Sequence, residues 1–239
     1  MNRLTLLGGG GNAAAAVPTL SYTTNLKVQL MANAETYNNN DAMGTLTDQS
    51  GNGNNFTQAT AGLKGTYKTN IINGLSAYYF PDNDRLYASS YDSDDTKGLS
   101  IFVVMKTEVD EVNIVTATLN DKTLVGVLNK TTLRTWTNGA GNLYDHTITD
   151  ATGAFYYYSI LIGENTGANG TTNVRQSASD KGTSGSRARG AGDTWDFPFD
   201  RASSQSFQGW IAEFLLYEEV VSGGNLTTVE SYLSSKYGL

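Results

Sequence analysis

From residue 26 onward the chain alternates short apolar runs with clusters of Asn, Asp, Gly and Ser, a pattern that predicts strands joined by turns. Residues 26–31 alternate weakly. The stretch Asp48-Gln49-Ser50-Gly51-Asn52-Gly53-Asn54-Asn55 is dense turn chemistry, because Asn and Gly accept positive φ. Residues 76–80 and 85–88 flank the polar break Pro81-Asp82-Asn83-Asp84. Residues 99–105 form a continuous run, apolar but for Ser100, between Gly98 and Lys106, the signature of a strand covered on both faces. Residues 123–128, 132–137 and 143–149 follow at hairpin spacing, and Asn138-Gly139 supplies a type I′ turn between the last two. Residues 155–162 and 210–217 are further long runs. Roughly nine to eleven strands with no helical period between them indicate a sandwich or barrel and not βαβ units.

Three stretches depart from this rhythm. Residues 163–193 carry one candidate strand near 172–176; the rest, including Lys181-Gly182-Thr183-Ser184-Gly185-Ser186-Arg187-Ala188-Arg189-Gly190, has the composition of a solvated loop. Near the C-terminus Leu226, Val229 and Leu233 fall on one helical face, with Asn225 as N-cap and Gly238 where the helix would stop. Residues 1–24 have no hydrophobic periodicity: Leu4, Leu6 and Leu7 precede four glycines and four alanines. This segment is expected to be a flexible arm, or one whose leucines dock on a partner.

Composition sharpens the picture. Of 239 residues, 39% are apolar and only 16% charged, while 14 are Tyr, a combination suited to pleated, half-buried surfaces. The net charge of −7 argues against general nucleic-acid binding, which needs a basic face. The absence of Cys removes disulfides, thiolate chemistry and Cys-ligated zinc. No run approaches the roughly 18 apolar residues of a membrane span. The apolar tip at Leu4–Leu7 is shorter than a signal-peptide core.

The C-terminal stretch Phe207-Gln208-Gly209-Trp210-Ile211-Ala212-Glu213-Phe214-Leu215-Leu216-Tyr217, followed by Val229-Glu230-Ser231-Tyr232-Leu233-Ser234-Ser235-Lys236-Tyr237-Gly238, resembles the end of laminin G-like, concanavalin A-like lectin/glucanase domains of bacterial and phage proteins. The Asp48–Asn54 loop and the segments 74–80 and 101–106 are similar to other parts of that pattern, in the same order. The resemblance implies an all-β, two-sheet antiparallel jelly-roll sandwich over residues 25–239, with a short C-terminal helix and an extended N-terminal arm over residues 1–24. It says little about chemistry, since this fold hosts lectins, hydrolases and inert assembly modules.

Glucanases of this fold carry Glu-x-Asp-x-x-Glu on one strand face. The nearest match, Glu108-Val109-Asp110-Glu111-Val112-Asn113, has Asn113 where the acid/base should stand, and an amide cannot deliver the proton. Glu213, on an apolar strand face, needs a partner, expected to be a loop Arg or backbone amides. The single histidine, His146, has no nucleophile-elbow motif around it. No cofactor is expected. The oxygen-rich loops at residues 82–84 and 92–95 leave a structural calcium as a remote option, without EF-hand spacing.

These readings favour binding over catalysis. The expected function is a non-catalytic virion structural protein, such as a phage head fibre, capsid decoration or tail-associated protein, whose lectin-like domain binds glycans. It would be a homo-oligomer, with a trimer favoured, contacting other virion proteins through the arm. The alternative is a carbohydrate-binding module of a bacterial surface or secreted protein. Trp136, beside the Asn138-Gly139 turn, is the expected exposed sugar-stacking ring. Trp195 and Trp210 sit in apolar alternations that favour core packing.

Overall fold

The computed structural model describes residues 16–81, 86–88, 91, 97–109, 112–117, 123–137, 143–163, 170–186, 195–197 and 207–239. Its strands are β1 (Leu26–Met31), β2 (Thr45–Leu46), β3 (Phe56–Thr57), β4 (Thr66–Ile72), β5 (Leu75–Phe80), β6 (Leu86–Ala88), β7 (Leu99–Thr107) and β8 (Val112–Ala117). They continue as β9 (Thr123–Asn129), β10 (Thr132–Thr137), β11 (Leu143–Thr147), β12 (Tyr156–Ile162), β13 (Gly170–Gln176), β14 (Ser179–Ser186), β15 (Trp195–Phe197) and β16 (Gly209–Tyr217). The helix α1 (Gly223–Tyr237) ends the chain. Among the described residues all strand pairs are antiparallel. One sheet runs β14-β13-β12-β7-β16-β5-β4 with β1 also on β16, and the other runs β11-β10-β9-β8-β15-β6-β3-β2. This is the expected jelly-roll sandwich with its C-terminal helix.

The period-2 alternation of the first sheet decides its layers. On β7, Leu99, Ile101, Val103 and Met105 point between the sheets, where they meet Tyr158 and Ile160 of β12, Tyr78 and Phe80 of β5, and Phe214 and Leu216 of β16. The alternate residues Phe102 and Val104 point to the outer face, with Tyr157, Leu161, Leu215 and Tyr217, and are covered by Val229, Tyr232, Leu233 and Tyr237 of α1. The helix therefore turns one sheet of the sandwich into a middle layer. That is why β7 reads as almost continuously apolar. Each of its large side chains contributes about 1.5–3 kcal/mol on leaving water.

Two turns explain how these strands are joined. Asn73 and Gly74 adopt φ of 48° and 76° between β4 and β5, and Asp48 organises the Gly/Asn loop between β2 and β3. The Asp48 carboxylate accepts from the backbone N–H groups of Gln29, Ser50 and Asn54 at 2.9 Å each. Asn52 and Asn54 in turn donate to backbone carbonyls of Leu26 and Lys27, so the loop is sewn to β1.

Several details differ from the sequence expectations. Residues 179–186 form strand β14 and not a loop, paired with β13 across a tight turn in which Ser177 and Ala178 hold φ of 46° and 62°. Gly and Ser weaken strand propensity, but a ready-made partner strand overrides it. The helix starts two residues before the expected cap: its N-cap is Ser222, while Gly238 ends it at φ 68° as expected. From the N-terminal segment, Leu20 and Tyr22 pack on the outer face, where Tyr22 stacks on Tyr217 at 5.8 Å and its carbonyl accepts from the Tyr217 hydroxyl at 2.8 Å. Leu4, Leu6 and Leu7 lie outside the described residues, as do the Asn138-Gly139 turn and the loops at 82–84 and 92–95.

Candidate functional site

At one end of the first sheet the outer face is not sealed by α1. Register places Tyr79 of β5 opposite Trp210 of β16, and Trp210 opposite Lys106 of β7. All three are half-buried and form a row across three adjacent strands. The Tyr79 and Trp210 rings lie 4.4 Å apart between centroids at 34°. Just beyond β7, exposed Glu108 accepts from Trp210 Nε1 at 2.7 Å and from the Tyr79 hydroxyl at 3.0 Å. One carboxylate thus clamps the polar edges of both rings, which pack against each other.

Cations stand at both ends of the row. Lys106 Nζ is 5.6 Å from the Trp210 ring centre and 5.7 Å from that of Phe155. Lys68 Nζ, on β4, is 5.9 Å from the Tyr79 ring and donates to Asn40 Oδ1 at 2.7 Å. Gly209 makes the arrangement possible: its φ is 151°, and a Cβ there would meet the Lys106 carbonyl oxygen at 2.3 Å. Only a residue without a side chain lets β16 enter so close to β7 and set the Trp210 ring in line. The result is a half-buried aromatic platform in which the two rings pack against each other, a lysine ammonium lies over each, and Glu108 holds their polar edges.

The core expectation for Trp210 is overturned by a bulge. The β7–β16 register shifts between Ile211 and Glu213, so the strand's simple alternation does not extend back to Trp210, which lies on the outer face and not between the sheets. Trp136 lies on β10 of the second sheet, its backbone opposite Leu124 and Leu143. Its side chain, and that of Trp195, lie outside the described residues. The structure therefore does not join Trp136 to the platform strands.

Among the described residues neither Glu108 nor Glu213 has a second carboxylate among its hydrogen-bond partners, and Asp110 and Glu111 lie outside the described residues. Glu108 follows the end of β7 in the first sheet and Asn113 lies on β8 in the second, so these two positions of the apparent Glu-x-Asp-x-x-Glu spacing do not share a strand face. Glu213 is fully buried and saturated. Its Oε1 accepts from Gln29 Nε2 at 2.9 Å and the Tyr232 hydroxyl at 2.8 Å; its Oε2 accepts from Lys236 Nζ at 2.8 Å and the Tyr237 hydroxyl at 2.9 Å. The partner is a helix lysine, and not the loop arginine or backbone amides expected. Burial lowers the Lys236 ammonium, with the Glu213 carboxylate opposing, and burial with the same carboxylate raises the Tyr232 and Tyr237 hydroxyls.

His146 is buried, with Ser184 Oγ 3.3 Å from its Nε2. Burial lowers its proton affinity, so the ring is neutral at pH 7. Among the described residues no acid hydrogen-bonds to it: Asp145 is held by Arg134 at 2.7 Å, and Asp180 accepts from Asn173 and the Gly182 N–H. Among the described residues no group of three or more His, Asp or Glu side chains could hold a metal.

No protein-family model and no curated protein matches the chain. Solved structures do. The binding domain of botulinum neurotoxin DC in complex with SialylT superposes with a TM-score of 0.61 at 12% identity, over 89% of this chain and 52% of that one. A structure of botulinum neurotoxin type C, whose cell entry is dependent upon interaction with two ganglioside molecules, gives 0.55 at 10% identity, over 88% and 52%. The native heptameric SAP-like pentraxin from Limulus polyphemus gives 0.50 at 15% identity, over 66% and 80%. The chain thus spans about half the length of the neurotoxin domains it matches. At such identities the likeness establishes the jelly-roll fold alone.

Tyr79 lies within one apolar run, Trp210 opens another and Lys106 follows a third, so no local signal groups them. Strand register alone brings Tyr79 and Lys106 beside Trp210.

Proposed function

We propose that the chain is a non-catalytic, lectin-like module that binds glycans on the Tyr79–Trp210 platform. The carrying observation is a half-exposed aromatic pair fixed by one carboxylate on the open end of a lectin-like sandwich. Clamped rings bind at small entropy cost. The neurotoxin domains of the same fold, one bound to SialylT and one tied to gangliosides, support a binding role. Among the described residues, the commitment of Glu108 to the two rings and the burial of Glu213 support a non-catalytic role.

A glycan array followed by calorimetry tests this reading. Binding that falls at least tenfold in Trp210→Ala and Tyr79→Ala, and persists in Trp136→Ala, supports it. No hit, or a hit insensitive to Trp210, ends it.

The setting proposed with this module is a virion, where it would assemble as a homotrimer with other virion proteins through residues 1–24; a bacterial cell surface or secreted protein is the second setting. The virion setting rests on the sequence resemblance. Mass spectrometry of purified particles decides it: presence of the chain supports a virion role, and absence removes it.

A further inference from the structure

We infer that the buried cluster where β1, β16 and α1 meet modifies itself, Lys236 Nζ displacing ammonia from the Gln29 side-chain amide to form an intramolecular isopeptide bond. The inference does not depend on the platform. Gln29, Glu213 and Lys236 come from three separate elements, and each is more than nine-tenths buried. Glu213 bridges the two reacting nitrogens: its Oε2 accepts from Lys236 Nζ at 2.8 Å and its Oε1 from Gln29 Nε2 at 2.9 Å. The same two nitrogens each lie 3.2 Å from Met31 Sδ, so they converge on one sulfur and one carboxylate. Tyr232 and Tyr237 close the cluster, their hydroxyls 2.8 and 2.9 Å from the Glu213 oxygens. A pocket of about 350 Å³, lined by Gln29, Met31, Tyr232 and Lys236 among others, adjoins the cluster and gives ammonia an exit.

The ion pair is the reactant state. A protonated amine is no nucleophile, and burial disfavours the Lys236 ammonium while the Glu213 carboxylate opposes that shift. Glu213 is placed to take a proton at Oε2 and to return one from Oε1 to the departing nitrogen, the two duties of a general acid–base. The Nζ lone pair attacks Gln29 Cδ and forms the new C–N bond, while the carbonyl π pair moves onto the Gln29 oxygen. Collapse of that intermediate breaks Cδ–Nε2, and the nitrogen leaves as ammonia. Of the three ammonium protons, one stays on the isopeptide nitrogen, one leaves with ammonia and one remains on Glu213. No oxidant or co-reactant is needed. Holding amine and amide in one cluster turns a bimolecular exchange into a unimolecular one. The product replaces two buried charges by neutral groups, which removes the penalty of keeping both ions out of water. The bond would join the first strand to the C-terminal helix covalently.

Intact-mass spectrometry of the denatured wild-type chain, after incubation in the folded state, tests this. A mass below the sequence value by one ammonia is expected, together with a branched tryptic peptide joining Gln29 to Lys236. The branched peptide is required because succinimides at Asn-Gly pairs such as Asn52-Gly53 also lose ammonia. The deficit should vanish in Lys236→Arg, and in Glu213→Gln, whose amide cannot carry the proton. Gln29→Glu changes only the leaving group and should lose one water instead. The deciding measurement is made on the wild type, so it stands even where a variant folds poorly. A wild-type mass equal to the sequence value, an ammonia deficit without the branched peptide, or a water deficit with Lys236 joined to Glu213 overturns the inference.

Discussion

Lys236 Nζ, on the last turn of α1, lies 2.8 Å from Glu213 Oε2 on β16, and both side chains are sealed from solvent. The same carboxylate accepts from Gln29 of β1 and from two helix tyrosines, so one buried ion pair fastens the helix to the sheet that carries the platform. Taking two charges out of water costs several kcal/mol, and only this full set of hydrogen bonds offsets it.

Removing one partner should therefore be severe. Lys236→Met leaves Glu213 buried without its cation and should cost about 3–5 kcal/mol in denaturant unfolding. The double variant Glu213→Gln with Lys236→Met should lose less than the sum of the two single variants, with a coupling of at least about 1 kcal/mol. Additive losses would show that the pair is energetically idle.

The platform separates binding from stability. Gly209→Ala should destabilise by more than about 1 kcal/mol, because its φ and its approach to the Lys106 carbonyl both exclude a Cβ. Glu108→Gln keeps an acceptor on the exposed rim and should shift the thermal midpoint little, yet weaken glycan binding by loosening both rings. A Glu108→Gln protein that binds as well as wild type would mean the clamp does not hold the rings for the ligand.

The His146 ring binds its proton less readily folded than unfolded, because burial disfavours the imidazolium. Its ordinary value is near 6.5, so the unfolded chain takes up the proton first as pH falls. Stability should be level above that value, decline as pH drops below it, and level again once the folded ring titrates. The neighbouring Asp145 and Asp180 carboxyls are held below the ordinary carboxylate range by hydrogen bonds, from Arg134 and from the Gly182 N–H, and their contribution is lost only at lower pH. Denaturant midpoints at pH 7.5 and 5.5 should differ in the wild type and converge in His146→Gln.

The β13–β14 turn carries avoidable strain. Ala178 sits at φ 62°, a conformation that costs an L-residue roughly 1–2 kcal/mol. Ala178→Gly should stabilise by up to about 1 kcal/mol, raising the thermal midpoint by about 2–4 °C in a chain of this size. A fall in that midpoint would contradict the turn geometry.

By itself the sequence determined the class of fold. The alternation at residues 26–31, the long apolar run that became β7, and Gly238 at the helix stop are local signals, and local backbone preference fixes them. It misread residues 179–186, because strand pairing with β13 outweighs the weak propensity of Ser and Gly. It also misplaced Trp210 and the partner of Glu213. A bulge at Ala212 broke the alternation on which the Trp210 assignment relied, and Lys236 reaches Glu213 only after α1 folds back on the outer face. Tyr79, Trp210, Lys106 and Glu108 span more than a hundred residues of sequence. Nothing local relates them: the register of β5, β16 and β7 decides that they share one surface, and register belongs to the tertiary structure.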